Sequence, residues 1–169
     1  AMLVGKRGDQ NRLGFALQLC CLRFPGQAFS ASGGAEQIPL HVVEFVAGQL
    51  GIEPQVFTAY ARREETRREH LLELKSALGL RTFDAQAQQA LSAWLLPVAM
   101  GTDKGVLLVE TLLEEMRLRQ IIIPNVTVVE RLAEDVRRTA RRETYRALLR
   151  GLTETHVKAL EGVLVIRPD

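Results

Sequence analysis

The 169-residue chain is 47% hydrophobic and 25% charged, and its 22 basic and 20 acidic side chains leave a net charge of only +2. This balance excludes a disordered tail and gives no global field that would draw in a polyanion. It supplies enough apolar mass for one domain or two small ones.

No apolar run approaches a bilayer span and no export signal opens the chain, so the expected setting is the cytoplasm, away from membranes. The two cysteines, Cys20 and Cys21, are adjacent. That spacing suits neither a disulfide nor a metal site, and they read as buried thiols.

Helical periods dominate in chain order, and the expected class is all-α. Asn11 to Arg23 forms a first amphipathic helix closed by Pro25-Gly26, and the Gly- and Ser-rich stretch after it reads as a flexible loop. A second helix opens at Pro39 and stops at Gly51, and Pro54 opens a short third. A fourth runs from about Thr66 to Leu78, and a fifth from Asp84 to Met100 with Pro97 bending or ending it. Asp103 is the expected cap of a sixth helix over Val106 to Arg119. "IIIPN" is a turn or a short strand. A seventh helix starts at Val126 and a last one at Thr153, and "GVLVIRPD" is either a helix end or a strand. Two helical bundles in series, 1–80 and 81–169, fit this order.

Val43, Val46, Ala47, Leu50, Gly51, Ile52, Phe57 and Tyr60 fit a helix-turn-helix. Ala47 permits close crossing, Gly51 allows a positive φ at the turn, and the apolar set locks the pair. Other helical hairpins share this pattern. The second helix would then present Glu53, Gln55, Thr58, Ala59 and Arg62 outward, a face that can enter a major groove.

Arg62, Arg63, Arg67 and Arg68 follow among Glu64, Glu65 and Glu69. They pair with those glutamates or face a phosphate backbone. A second basic region, Arg131 to Arg150, holds seven arginines and three acids. Arg137, Arg138, Arg141 and Arg142 share one side of it, opposite Val129, Leu132, Val136 and Ala140. Arg in place of Lys suits bidentate phosphate contacts, although a solvated charged face has the same pattern. Past Arg142 the apolar positions move to the basic side at Tyr145, Leu148 and Leu149, which requires a kink, a turn or a second packing partner near Glu143. His41, His70 and His156 are too scattered for a metal site, and no catalytic or phosphate-loop motif is present.

Several blocks resemble, in order, the N-terminal region of Tn-three family replicative transposases. The most specific are "NRLGFA" from Asn11 to Ala16, "LRFPG" from Leu22 to Gly26, and "RREETRREH" from Arg62 to His70. The resemblance runs from Lys6 to about Leu149, and "SASGG" departs from it. It implies a bacterial, nucleoid-associated fragment that binds duplex DNA at the element's terminal inverted repeats. The Asp, Asp, Glu catalytic domain and its metal ions would lie elsewhere in the transposase, so the fragment would cut nothing and need no cofactor. Its expected partners are that duplex, the remainder of the transposase chain and a second transposase protomer.

Arg12, Arg62, Arg63, Arg67, Arg68 and His70 match the family's motif positions. With Gln55, Thr58, Arg137, Arg138, Arg141 and Arg142 they make up the expected DNA contacts, a role inferred from charge and geometry; His70, beside Glu69, also reads as a structural member of a helical pair. The alternative is a helical protein-interaction module, for which the apolar residues of "IIIP" and the tail would be the exposed contacts.

Overall fold

The computed structural model describes residues 6–29 and 38–164. Within them the chain is all-α, with helices α1 (Asp9–Arg23), α2 (Leu40–Leu50), α3 (Phe57–Ala61), α4 (Glu64–Leu78), α5 (Ala85–Gly101), α6 (Gly105–Leu118), α7 (Val126–Arg150) and α8 (Glu154–Leu164). A 3-10 turn, Pro54–Val56, leads into α3. The Gly- and Ser-rich loop over 30–37 lies outside the described residues, as does the tail beyond 164.

Local chemistry accounts for the helix ends. Gly51 and Gly79 take left-handed φ of 64° and 66°. The residue after each returns its amide to the last turn, Ile52 to the Ala47 carbonyl at 3.0 Å and Leu80 to that of Lys75 at 2.9 Å. Asp84 and Asn125 cap α5 and α7 by accepting from Ala87 N–H at 2.8 Å and Thr127 N–H at 3.0 Å. Asp103 does not cap α6, whose N-cap is Lys104. Its carboxylate is taken instead by Arg141 of α7. Pro97 neither ends nor replaces α5, which continues to Gly101. Its ring is on the exposed side, while Leu95 and Ala99 are buried and hold the helix across it.

Leu13, Ala16 and Leu17 of α1 pack with Val43, Val46, Ala47, Ile52, Phe57 and Tyr60. Leu91, Leu95, Leu108, Leu112, Met116, Val129, Leu132 and Val136 form the core shared by α5, α6 and α7. Between them lies a smaller group of Phe15, Leu22 and Leu74, with Leu71 and Ile122 against it.

The "IIIP" stretch stitches these groups together. Ile121 and Ile123 are buried. Ile122 N–H donates to the Arg81 carbonyl at 2.9 Å and Ile123 N–H to that of Gly26 at 2.8 Å, and isolated parallel bridges join Gln27 to Ile123 and Arg81 to Ile121. This stretch is a seam between helices and not an exposed contact for another protein. Cys20 also departs from expectation: it is exposed, and Cys21 is only half-buried.

Candidate nucleic-acid interface

The residues expected to face outward beyond Gly51 do so. Glu53, Gln55, Thr58, Ala59 and Arg62 are all exposed, while Phe57 and Tyr60 turn inward. Arg62 follows α3 directly, Arg63 is the N-cap of α4, and Arg68 lies in its second turn. All three are exposed, and none has a carboxylate within ion-pair reach among the described residues. Arg67 is different. It is half-buried near Tyr60, its Nε is buried without a hydrogen-bond partner, and its carbonyl accepts from Gln18 Nε2 at 3.0 Å.

His70 is not a surface contact. It is 6% exposed, and its Nδ1 is 3.0 Å from the Tyr60 hydroxyl. The ring stacks on Tyr60 at 5.5 Å between centroids and meets Phe15 edge-on at 5.1 Å. An imidazole enclosed in this way cannot reach a duplex, so His70 is withdrawn from the expected contacts. Burial, and then the nearby Lys6 ammonium, push its pKa below the ordinary 6.5 against a smaller opposing pull from Glu73. Burial pushes the Tyr60 phenol well above its usual range, so the hydroxyl stays protonated and can donate to Nδ1.

The same cluster explains the "NRLGFA" block. A Cβ added at Gly14 would lie 2.2 Å from Tyr60 Cδ1, so only glycine admits the ring. Phe15 meets His70 edge to face, and Lys6 Nζ lies over the Phe15 ring, 4.5 Å from its centroid. Lys6 also pairs with Glu73 of α4. "NRLGFA" and "RREETRREH" are therefore two halves of one packing contact, which joins α1 and α4 around Tyr60 of α3.

The α7 arginines are placed differently. Arg141 forms a bidentate pair with Asp103, Nε to Oδ1 at 3.0 Å and Nη2 to Oδ2 at 2.7 Å. That hydrogen bond, reinforced by the charges of Arg141 and Arg137, holds the Asp103 carboxyl below its ordinary 3.8. Arg137 donates to the Asp103 carbonyl at 3.3 Å and pairs with Glu134 at 2.9 Å. Arg138 lies 3.8 Å from Asp135, and Arg146 pairs with Glu143 at 2.8 Å. Of the expected contacts on α7, only Arg142 has no carboxylate partner among the described residues. Arg12, in the first turns of α1, lies 3.4 Å from Asp9. Three of the four arginines in the stripe read from the sequence thus stand in surface ion pairs, while the segment as a whole keeps its excess of seven arginines over three acids.

Among the described residues no group of His, Cys, Asp and Glu is arranged to hold a metal ion, and no helix is long and apolar enough to cross a membrane.

Residues 1–136 match the family described as DUF4158, a domain of unknown function. The chain is 40% identical over 162 residues to the transposase for transposon Tn501 of Pseudomonas aeruginosa, covering 96% of this chain and 16% of that protein. It is 37% identical over 165 residues to the transposase for transposon Tn21 of Escherichia coli (97% and 16%), and 29% identical over 159 residues to that for Tn1546 of Enterococcus faecium (94% and 16%). The chain thus spans 16% of the length of these relatives, consistent with an N-terminal portion of a Tn-three family transposase. By its match over 1–136, the chain belongs to the DUF4158 family.

Proposed function

We propose that this chain is a duplex-DNA-binding part of a transposase that reads the terminal inverted repeats of its element and carries no catalytic residues of its own. The observation that carries this reading is the state of Arg62, Arg63 and Arg68. They are exposed beside three glutamates yet paired with none, and so are available to phosphates at little cost in broken ion pairs. The α2–α3 unit acts as a helix-turn-helix with Gln55 and Thr58 at base edges and the three arginines on the flanking backbone. The α5–α7 group, through Arg142 and secondarily Arg138, is a second module placed along a long repeat. Transposases as relatives, at up to 97% coverage of this chain, favour this role over an unrelated helical one.

The test is binding of a terminal-repeat duplex against a scrambled duplex of the same composition at two salt concentrations. Preference for the repeat, with affinity falling steeply as salt rises, is expected. Equal binding to both duplexes, or none, would remove the proposal.

A further inference from the structure

The 3-10 turn and α3 present one side to the core and one to solvent, and packing fixes which is which. Phe57 and Tyr60 are 6% and 0% exposed, and their rings stack at 6.1 Å between centroids. Tyr60 is held further by its hydrogen bond to His70 and by the close approach of α1 at Gly14. The segment therefore cannot roll about its axis. Gln55, Thr58 and Ala59, all exposed, share the opposite side at helical spacing. No arginine or lysine lies between Glu53 and Ala61.

We propose that this side reads A·T pairs in the major groove, with the Gln55 amide on an adenine and the methyl groups of Thr58 and Ala59 against the methyl group of thymine. The inference rests on the duplex-binding reading above and adds which bases the helix-turn-helix prefers. A glutamine amide carries both a donor and an acceptor. Adenine presents the complement, with N7 accepting from the amide Nε2 and the N6 amino group donating to Oε1. Guanine presents two acceptors, N7 and O6, and would leave the Gln55 carbonyl oxygen without a donor. The side chains that suit guanine are Arg and Lys, and this side has neither.

Spacing places the contacts on neighbouring pairs. Three residues separate Gln55 from Thr58, about 5 Å along the axis, against a rise of about 3.4 Å per base pair. The preferred core is thus a short run of adjacent A·T pairs. Arg62 and Arg63, just past the end of α3, stay on the phosphates beside it.

The test is selection by the 169-residue chain from a pool of random-sequence duplexes, followed by anisotropy on the selected duplex. The parent should select a short A·T core. Gln55→Arg should move the preference at one pair from A·T to G·C by about ten-fold or more, a gain that an unfolded variant cannot show. Uracil in place of thymine removes only the base's methyl group and should weaken parent binding a few-fold. That loss should shrink in Thr58→Ser, which lacks the side-chain methyl, and persist in Thr58→Val, which keeps it. A G·C core, which would assign the reading to Glu53 or Arg62, would overturn the inference and leave duplex binding standing. So would an A·T core unchanged by Gln55→Arg and Thr58→Ser. A pool in which no sequence is enriched would remove both.

Discussion

Arg62, Arg63 and Arg68 lie among Glu64, Glu65 and Glu69 and pair with none of them. Arg137, Arg138, Arg141 and Arg146 lie on α7 among Glu134, Asp135 and Glu143, and every one of them has a carboxylate. Spacing does not separate the two cases. Three residues join Glu134 to Arg137 and Asp135 to Arg138, and three also join Glu64 to Arg67 and Glu65 to Arg68. On α4 the docked face decides: Arg67 is drawn inward beside Tyr60, and Arg68 borders a groove between α4 and the start of α7. On α7 a carboxylate from another part of the chain, Asp103, takes Arg141. A count of arginines therefore measures potential charge, and tertiary packing decides how much of it a partner can use.

The comparison is broken most directly by removing each set. Arg62→Ala, Arg63→Ala and Arg68→Ala together should lower terminal-repeat affinity about 100-fold or more by fluorescence anisotropy, since each loses a charge-assisted contact. Arg137→Ala with Arg141→Ala should cost only a few-fold, because those guanidinium groups are already engaged. Equal losses in the two variants would remove the distinction.

The packing of α1 against Tyr60 and α4 is tested by Gly14→Ala. Its methyl overlaps the Tyr60 ring, and a thermal melt should show about 3 kcal/mol of destabilisation. An unchanged melting temperature would show that Tyr60 can move aside freely.

How much could be read from sequence follows the same division between local and distant causes. The extents of α5, α6 and α7, the apolar stripe of α7 and the left-handed Gly51 depend on neighbours within a turn or two, and they were legible. His70 had two readings, a structural one and a phosphate contact, and the choice between them needs Phe15 of α1 and Tyr60 of α3, which close over the ring and leave only the first. Asp103 was misread as a cap because its partner lies 38 residues on. "IIIP" was read as a turn or short strand, exposed only under the protein-interaction alternative, and its burial could not be seen because its partners, Gly26 and Arg81, belong to loops with no periodic signal. The glycine in "NRLGFA" was the available clue to a close approach, and only the fold supplies the ring it admits.

Two smaller effects sharpen the comparison. The unfolded chain binds a proton at His70 more readily than the folded one, because the folded pKa is depressed. Its contribution to stability is therefore complete above about 6.5 and declines as pH falls through 6.5 toward the folded value. Denaturant midpoints should fall over that interval, and His70→Phe should flatten the decline; a variant with the parent's slope would assign it to other groups. The smallest effect belongs to Asp103→Asn. It frees Arg141 at an exposed site, so melting should barely change while affinity for any duplex rises slightly. A fall in affinity would mean that the pair itself shapes the binding face.

The central claim is that usable positive charge resides at the head of α4. Its most direct measurement is the slope of log affinity against log salt for the terminal-repeat duplex. The slope should become shallower by about 0.9 for each of Arg62, Arg63 and Arg68 replaced by Ala, and stay nearly constant for Arg137 and Arg141. A slope that changes only when the α7 arginines are removed would contradict it.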